Sequence, residues 1–283
     1  MKISARDIDH LSLTLSDPEA AAQKLAQLGF TLTPEGVEPR CVCFQPDRDD
    51  IPNYIELLQG DPAVVALALN VADLEGEERS HSWESEEGFD VEATVIVGES
   101  AGPLPWFPVK QESPEAFMEP EWIVHPNGAL ALMAVHAVAQ NPRETAKALK
   151  AACGGTLEEI FDGCTLLKIG SVELLIWSPL AYQLEYKALE VMAPGELPQI
   201  VGAAIAVERA RPLQRGGMAD AGQQDQLCAG NGPREIIRMF ALDEFVMLTL
   251  DNRDRHVDLA EIGNGVVRLR PLHQADSLDE GIE

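Results

Sequence analysis

The chain has 283 residues, of which 47 are acidic and 21 basic, a formal net charge of −26. A charge of that sign without a basic block excludes phosphate-backbone binding and attraction to an anionic membrane surface, both of which need clustered Lys and Arg. Hydrophobic residues at 46% and charged ones at 24% are ordinary for a globular protein, and the length is enough for two domains, each with its own core.

Residues 8–15 alternate polar and apolar, the period of a half-buried strand. Asp17-Pro18-Glu19 then supplies an N-cap, a Pro at the first helical position and an acid in the first turn. Ala21, Leu25 and Leu28 are spaced for one buried helix face, and Gly29 ends the helix. Three short strands are expected next, at 30–33, 40–45 and 54–59, completing a β-α-β-β-β unit of residues 6–60.

The same order recurs. A strand at 132–139 leads into Asn141-Pro142, an Ala-rich helix and Gly154, and Tyr54-Ile55-Glu56-Leu57-Leu58 is echoed by Ser171-Val172-Glu173-Leu174-Leu175. Weaker copies begin at 65–71, ending at 122–128, and at 200–207, ending at 244–250. Four modules are therefore expected near 6–60, 63–128, 130–178 and 199–251. They form an N-terminal domain of residues 1–129, a C-terminal domain of 130–274 and an acidic tail at 275–283. Segments 98–120 and 209–234 are expected to be loops, and the acids of 73–90 to lie on a helix face.

Residues 1–7 lack the apolar stretch of a secretory signal, and no run approaches the roughly 20 apolar residues of a membrane span. Five cysteines without CxxC spacing form no disulfide framework or structural zinc site, so a cytoplasmic protein with reduced thiols is expected. No Walker loop, GxGxxG, HExxH or GxSxG is present, so no nucleotide cofactor is expected.

The first strand with its His, the run Asp17-Pro18-Glu19-Ala20 to Leu28-Gly29-Phe30, and the strand Tyr54-Ile55-Glu56-Leu57-Leu58 resemble the vicinal-oxygen-chelate superfamily, in its glyoxalase-like branch. His125-Pro126-Asn127-Gly128-Ala129, before the third module, adds to the likeness. The resemblance implies an α+β fold of tandem β-α-β-β-β modules forming cup-shaped mixed sheets. It also implies a small-molecule ligand or substrate, and often a divalent metal (Zn, Ni, Mn or Fe) held by first-strand and last-strand residues of two modules.

Carried over by position, the metal ligands are His10 and Glu56, with Glu173 and His136 from the third module, and Glu173 doubles as a proton shuttle. Such an N2O2 set leaves positions for a bidentate substrate, which the metal activates as a Lewis acid. His136 aligns with Ser12, two residues beyond His10 on the same face. The full set needs modules one and three to share a cup, or a partner chain, as in a homodimer, to contribute. His125, Trp106 and Trp122 are candidates for the wall of a ligand pocket. Two functions follow: a metal-dependent lyase, isomerase or dioxygenase, or a metal-free protein holding an apolar or cationic molecule against Trp, Phe and acidic residues.

Overall fold

The computed structural model describes residues 3–45, 52–60, 64–84, 90–99, 102–114, 119–185, 197–207, 235–242, 245–252 and 255–256. The first module is β1 (Ala5–Leu15), α1 (Pro18–Gln27), β2 (Arg40–Phe44) and β3 (Asn53–Gln59). Asp17 caps α1 by accepting from the Ala20 amide at 2.9 Å, with Pro18 entering the first turn. The strand expected at 30–33 does not form. Pro34, Gly36 and Pro39 interrupt the chain there, and only Thr33 pairs with Cys41, through backbone and hydroxyl bonds of 2.9 Å.

The second module has no helix after its first strand. β4 (Val64–Val71) runs through a short turn into β5 (Glu77–Glu84), β6 (Asp90–Val97) and β7 (Trp106–Gln111). Glu77, Glu78 and Glu84 therefore lie along a strand instead of on a helix face. The closing strand is β7, inside the stretch expected to be a loop. Residues 122–128, where the module was expected to end, hold the end of α2 (Pro120–Ile123) and a turn.

The third module is complete, with β8 (Ala129–Val138), α3 (Pro142–Cys153), β9 (Thr156–Phe161), β10 (Cys164–Ile169) and β11 (Val172–Trp177). It is followed by α4 (Pro179–Glu185). Then come β12 (Gln199–Val207), β13 (Glu235–Leu242), β14 (Phe245–Asn252) and β15 (Arg255–His256). The expected loop at 209–234 and the acidic tail lie outside the described residues.

One sheet has the order β2-β3-β1-β4-β7-β6-β5, the other β15-β14-β13-β12-β8-β11-β10-β9. In each, the first and last strands of the helix-bearing module pair in parallel, β1 with β3 and β8 with β11. The neighbouring module joins antiparallel, β1 with β4 and β8 with β12. Consecutive modules thus share a sheet. The fourth departs from the pattern, because β12 pairs antiparallel with β13.

One face of each sheet packs with α1 and α3 into a shared core that includes Ile8, Leu25, Leu67, Val135, Leu149 and Leu174. The opposite faces carry separate clusters. On the first sheet these are Cys41, Cys43, Tyr54, Trp83 and Trp122, and Ala68, Val95 and Val109. The first sheet curls until its edges meet: His81 on β5 donates to the Glu38 carbonyl at 3.1 Å, and Trp83 lies 5.6 Å from Trp122. This is the cup.

Candidate functional site

The concave face of the first sheet follows from its register. His10 and Ser12 on β1 stand opposite Tyr54 and Glu56 on β3, which stand opposite Cys43 and Cys41 on β2. On the other side His10 faces Ala68 and Ser12 faces Ala66 of β4, and Ala68 faces Phe107 of β7. A register shift between Ile8 and His10 breaks strict alternation, and the Asp9 side chain turns to the same side as His10.

These residues make a buried polar cluster. His10, 3% exposed, donates through Nδ1 to Asp9 Oδ1 at 2.7 Å, and its Nε2 pairs with Glu56 Oε1 at an ion-pair distance of 3.2 Å. Ser12 Oγ donates to the same Glu56 oxygen. Asp9, 1% exposed, also accepts from Asn70 Nδ2 and Gln111 Nε2, both at 2.9 Å. The Gln111 amide reaches on to the Tyr54 hydroxyl at 3.1 Å. Tyr54 stacks on the His10 ring at 4.3 Å between centroids, and Phe107 meets it edge-on at 5.7 Å.

Electrostatics follow from that packing. Burial pushes the His10 imidazole down, but the charges of Glu56 and Asp9 and their hydrogen bonds outweigh it and raise its pKa from 6.5 to about 9. Burial pushes the Glu56 carboxyl up. The His10 charge and the bonds from His10 and Ser12 overcome this and hold it below the usual carboxylate value. Burial raises the thiols of Cys41 and Cys43, the latter to about 12, so both stay protonated and unreactive.

Of the expected ligands, His10 and Glu56 come together. His136 and Glu173 lie on the second sheet, so the four do not surround one point. The two modules also differ in height. His10 is two residues before Ser12, which stands opposite Glu56, whereas His136 is two residues after Ala134, which stands opposite Glu173. His136 therefore matches Thr14 in position, not Ser12 as its spacing from the helix start implied. It is buried, and its Nδ1 accepts from Trp177 Nε1 at 3.1 Å. Glu173 is half-buried.

The aromatic candidates divide. Trp122 packs with Trp83, Cys41, Cys43 and Tyr54 over the concave face. Trp106 pairs with Leu67 and joins the shared core on the opposite face, so Phe107, its neighbour in sequence, is the aromatic residue against His10. His125 is a strut. Its Nδ1 accepts from the Thr31 amide at 3.0 Å and its Nε2 donates to the Cys43 carbonyl at 2.8 Å, between Phe30 and Phe44. Burial lowers its pKa, the Cys43 bond opposing in part, and a ring with both nitrogens on backbone has none to offer a ligand.

Asp9, Asn70 and Gln111 were not candidates in the sequence. Alternation places Asp9 on the face opposite His10, and Gln111 falls in the stretch that reads as a loop.

Residues 8–89 match the family model of a Glyoxalase-like domain. No curated protein matches the chain. Among solved structures, it is similar to a hypothetical protein from Staphylococcus aureus, at 13% identity over 62% of this chain and 87% of that one, with a TM-score of 0.42. It is also similar to BphC, a halotolerant catechol dioxygenase, at 11% identity over 72% of this chain and 83% of that one, with a TM-score of 0.33. No helix among the described residues is long and apolar enough to cross a membrane. The strand–helix–strand order of the first module and the parallel pairing of β1 with β3 lie within residues 8–89, the stretch that is similar to the Glyoxalase-like domain.

Proposed function

We propose that the cup of the first sheet binds a small molecule without a metal ion. The superfamily implies a divalent metal, and the donor set of this cup tests whether one fits. The positions facing His10 and Ser12 are Ala68, Ala66 and, beyond them, Phe107, and the amides of Asn70 and Gln111 from the same strands are engaged with Asp9. Among the described residues, no group of three or more His, Cys, Asp or Glu side chains is arranged to hold an ion. The residues do not fit the metal, and no metal-dependent step is derived. The lack of such a donor group among the described residues is the observation that carries this reading.

What the cup offers instead is a carboxylate beside aromatic rings. Glu56 has a side chain 13% exposed, at the edge of a face walled by Tyr54, Phe107 and Trp122. That chemistry suits an apolar or cationic small molecule, held by ring contacts and by one acidic group. The four described cysteines are free and buried, in keeping with a cytoplasmic setting.

Elemental analysis of the purified protein tests the reading. We expect well below one equivalent of Zn, Ni, Mn or Fe, unchanged in His10→Ala and Glu56→Ala. One equivalent in the parent protein that is lost in both variants overturns the metal-free reading.

A further inference from the structure

Residues 119–128 run from α2 to the start of β8 and carry Trp122 onto Trp83 and Tyr54 of the first cup. Three ties hold this strap. Asn127 fixes one end, its side-chain amide donating to the Leu28 carbonyl and its backbone amide to the Gly29 carbonyl, each at 3.1 Å. The Thr31 hydroxyl donates to the Val124 carbonyl at 2.6 Å. His125 is the third, bonded to Thr31 at 3.0 Å and to Cys43 at 2.8 Å.

These two bonds give the ring nitrogens opposite roles. The Thr31 amide only donates, so Nδ1 must present a lone pair, and the Cys43 carbonyl only accepts, so Nε2 must carry the proton. The arrangement therefore admits the neutral ring. A second proton, on Nδ1, sets N–H against N–H and strands the Thr31 amide.

We propose that the strap is a lid on the first cup and that His125 is its latch, closed while the ring is neutral and released when the ring takes a second proton. The proposal goes beyond the metal-free reading and does not depend on it, because both His125 bonds end on backbone groups away from His10 and Glu56. The ring touches the segment of Phe30 and Thr31, which brings no titratable group, and β2. On β2, burial keeps the thiols of Cys41 and Cys43 protonated, and Arg40 pairs with Glu19. The strap itself carries Glu119, half-buried, and Glu121, exposed. Burial disfavours the cationic ring, the Cys43 carbonyl favours it, and burial prevails. The latch is thus fully closed above the ordinary histidine value of 6.5 and loosens as pH falls below it.

NMR of the full-length protein between pH 7.5 and 5.0 tests this by following the His125 ring, the Trp122 indole and the exchange protection of the Thr31 amide. As His125 takes its second proton, Thr31 protection should drop roughly tenfold, the scale of one lost hydrogen bond. The Trp122 indole should shift with the same midpoint, while the amide of Val135, in the shared core, keeps its protection. His125→Asn offers an acceptor that does not titrate, and in it Trp122 should stay unmoved over the whole range. A ring neutral throughout, or one that titrates while Thr31 and Trp122 stay as they were, overturns the proposal. Loss at Val135 as well marks global unfolding and overturns it too, as does a Trp122 response that survives in His125→Asn. If the variant does not fold, the parent protein decides, a shared midpoint supporting the latch and separate midpoints overturning it. One equivalent of metal on His10 and Glu56 would sink the metal-free reading and leave the latch standing.

Discussion

Replacing Asp9 by alanine should destabilise the protein by about 3–5 kcal/mol, the range for removing one member of a buried, hydrogen-bonded charge pair. The side chain accepts from three donors at once, His10 Nδ1, Asn70 Nδ2 and Gln111 Nε2. Its loss strands His10 Nδ1 and Asn70 Nδ2 in a buried site, while Gln111 keeps its bond to the Tyr54 hydroxyl, and it leaves the imidazolium with Glu56 as its remaining carboxylate partner. Gln111→Ala, which removes a single donor from the same carboxylate, should cost about 1 kcal/mol. Urea unfolding of the two variants measures the difference, and equal costs would contradict this account of the cluster.

The same network sets a pH dependence. Folding raises the pKa of His10 from 6.5 to about 9, so its stabilising contribution is fully present below 6.5 and is lost as pH climbs through about 9. Within that window stability should fall by about 1 kcal/mol per pH unit. Asp9→Ala should narrow that window from its upper end, because one of the two carboxylates that raise the imidazole has gone.

Gly170→Ala should cost about 2–4 kcal/mol, more than a glycine replacement at an open site. Gly170, in the turn between β10 and β11, has φ +63, and a Cβ there runs into the Arg6 carbonyl and the Asp7 carboxylate. This is a joint between the two sheets. Asp7 of β1 accepts from the Ser171 amide at 3.1 Å and from its hydroxyl at 2.6 Å. Gly154→Ala is the control. Its φ of +90 and ψ of −150 strain an alanine, but nothing lies within 4 Å of the added methyl, so the cost should be backbone strain alone, about 1–3 kcal/mol, with no collision across the joint. Hydrogen exchange should show lost protection at the start of β1 and in the β10–β11 turn of Gly170→Ala and not of Gly154→Ala.

Much of the fold was legible because local signals agreed with one another. Asp17-Pro18 and Gly29 bracket α1, and the repeated strand bearing Glu56 or Glu173 becomes the parallel partner of the first strand in each complete module. Alternation also placed His10 and Glu56 on one face. Three things were hidden, each for a physical reason. The β1 register shift moves Asp9 to the face that strict alternation denies it. β7 contains Pro108 and follows a Gly- and Pro-rich stretch, so it lacks a strand signature, although it brings Phe107 and Gln111 to the site. Which modules share a sheet depends on antiparallel pairing between β1 and β4 and between β8 and β12, and no local motif encodes it. That pairing is what parts His10 and Glu56 from His136 and Glu173.

On the proposed reading His10 and Glu56 hold each other and not a metal. Crystals grown in excess Mn2+, with anomalous data collected to locate the ion, test it most directly. We expect no manganese peak within bonding distance of either residue, and a His10 Nε2 to Glu56 contact near 3.2 Å. A manganese ion coordinated by His10 Nε2 and the Glu56 carboxylate would contradict it.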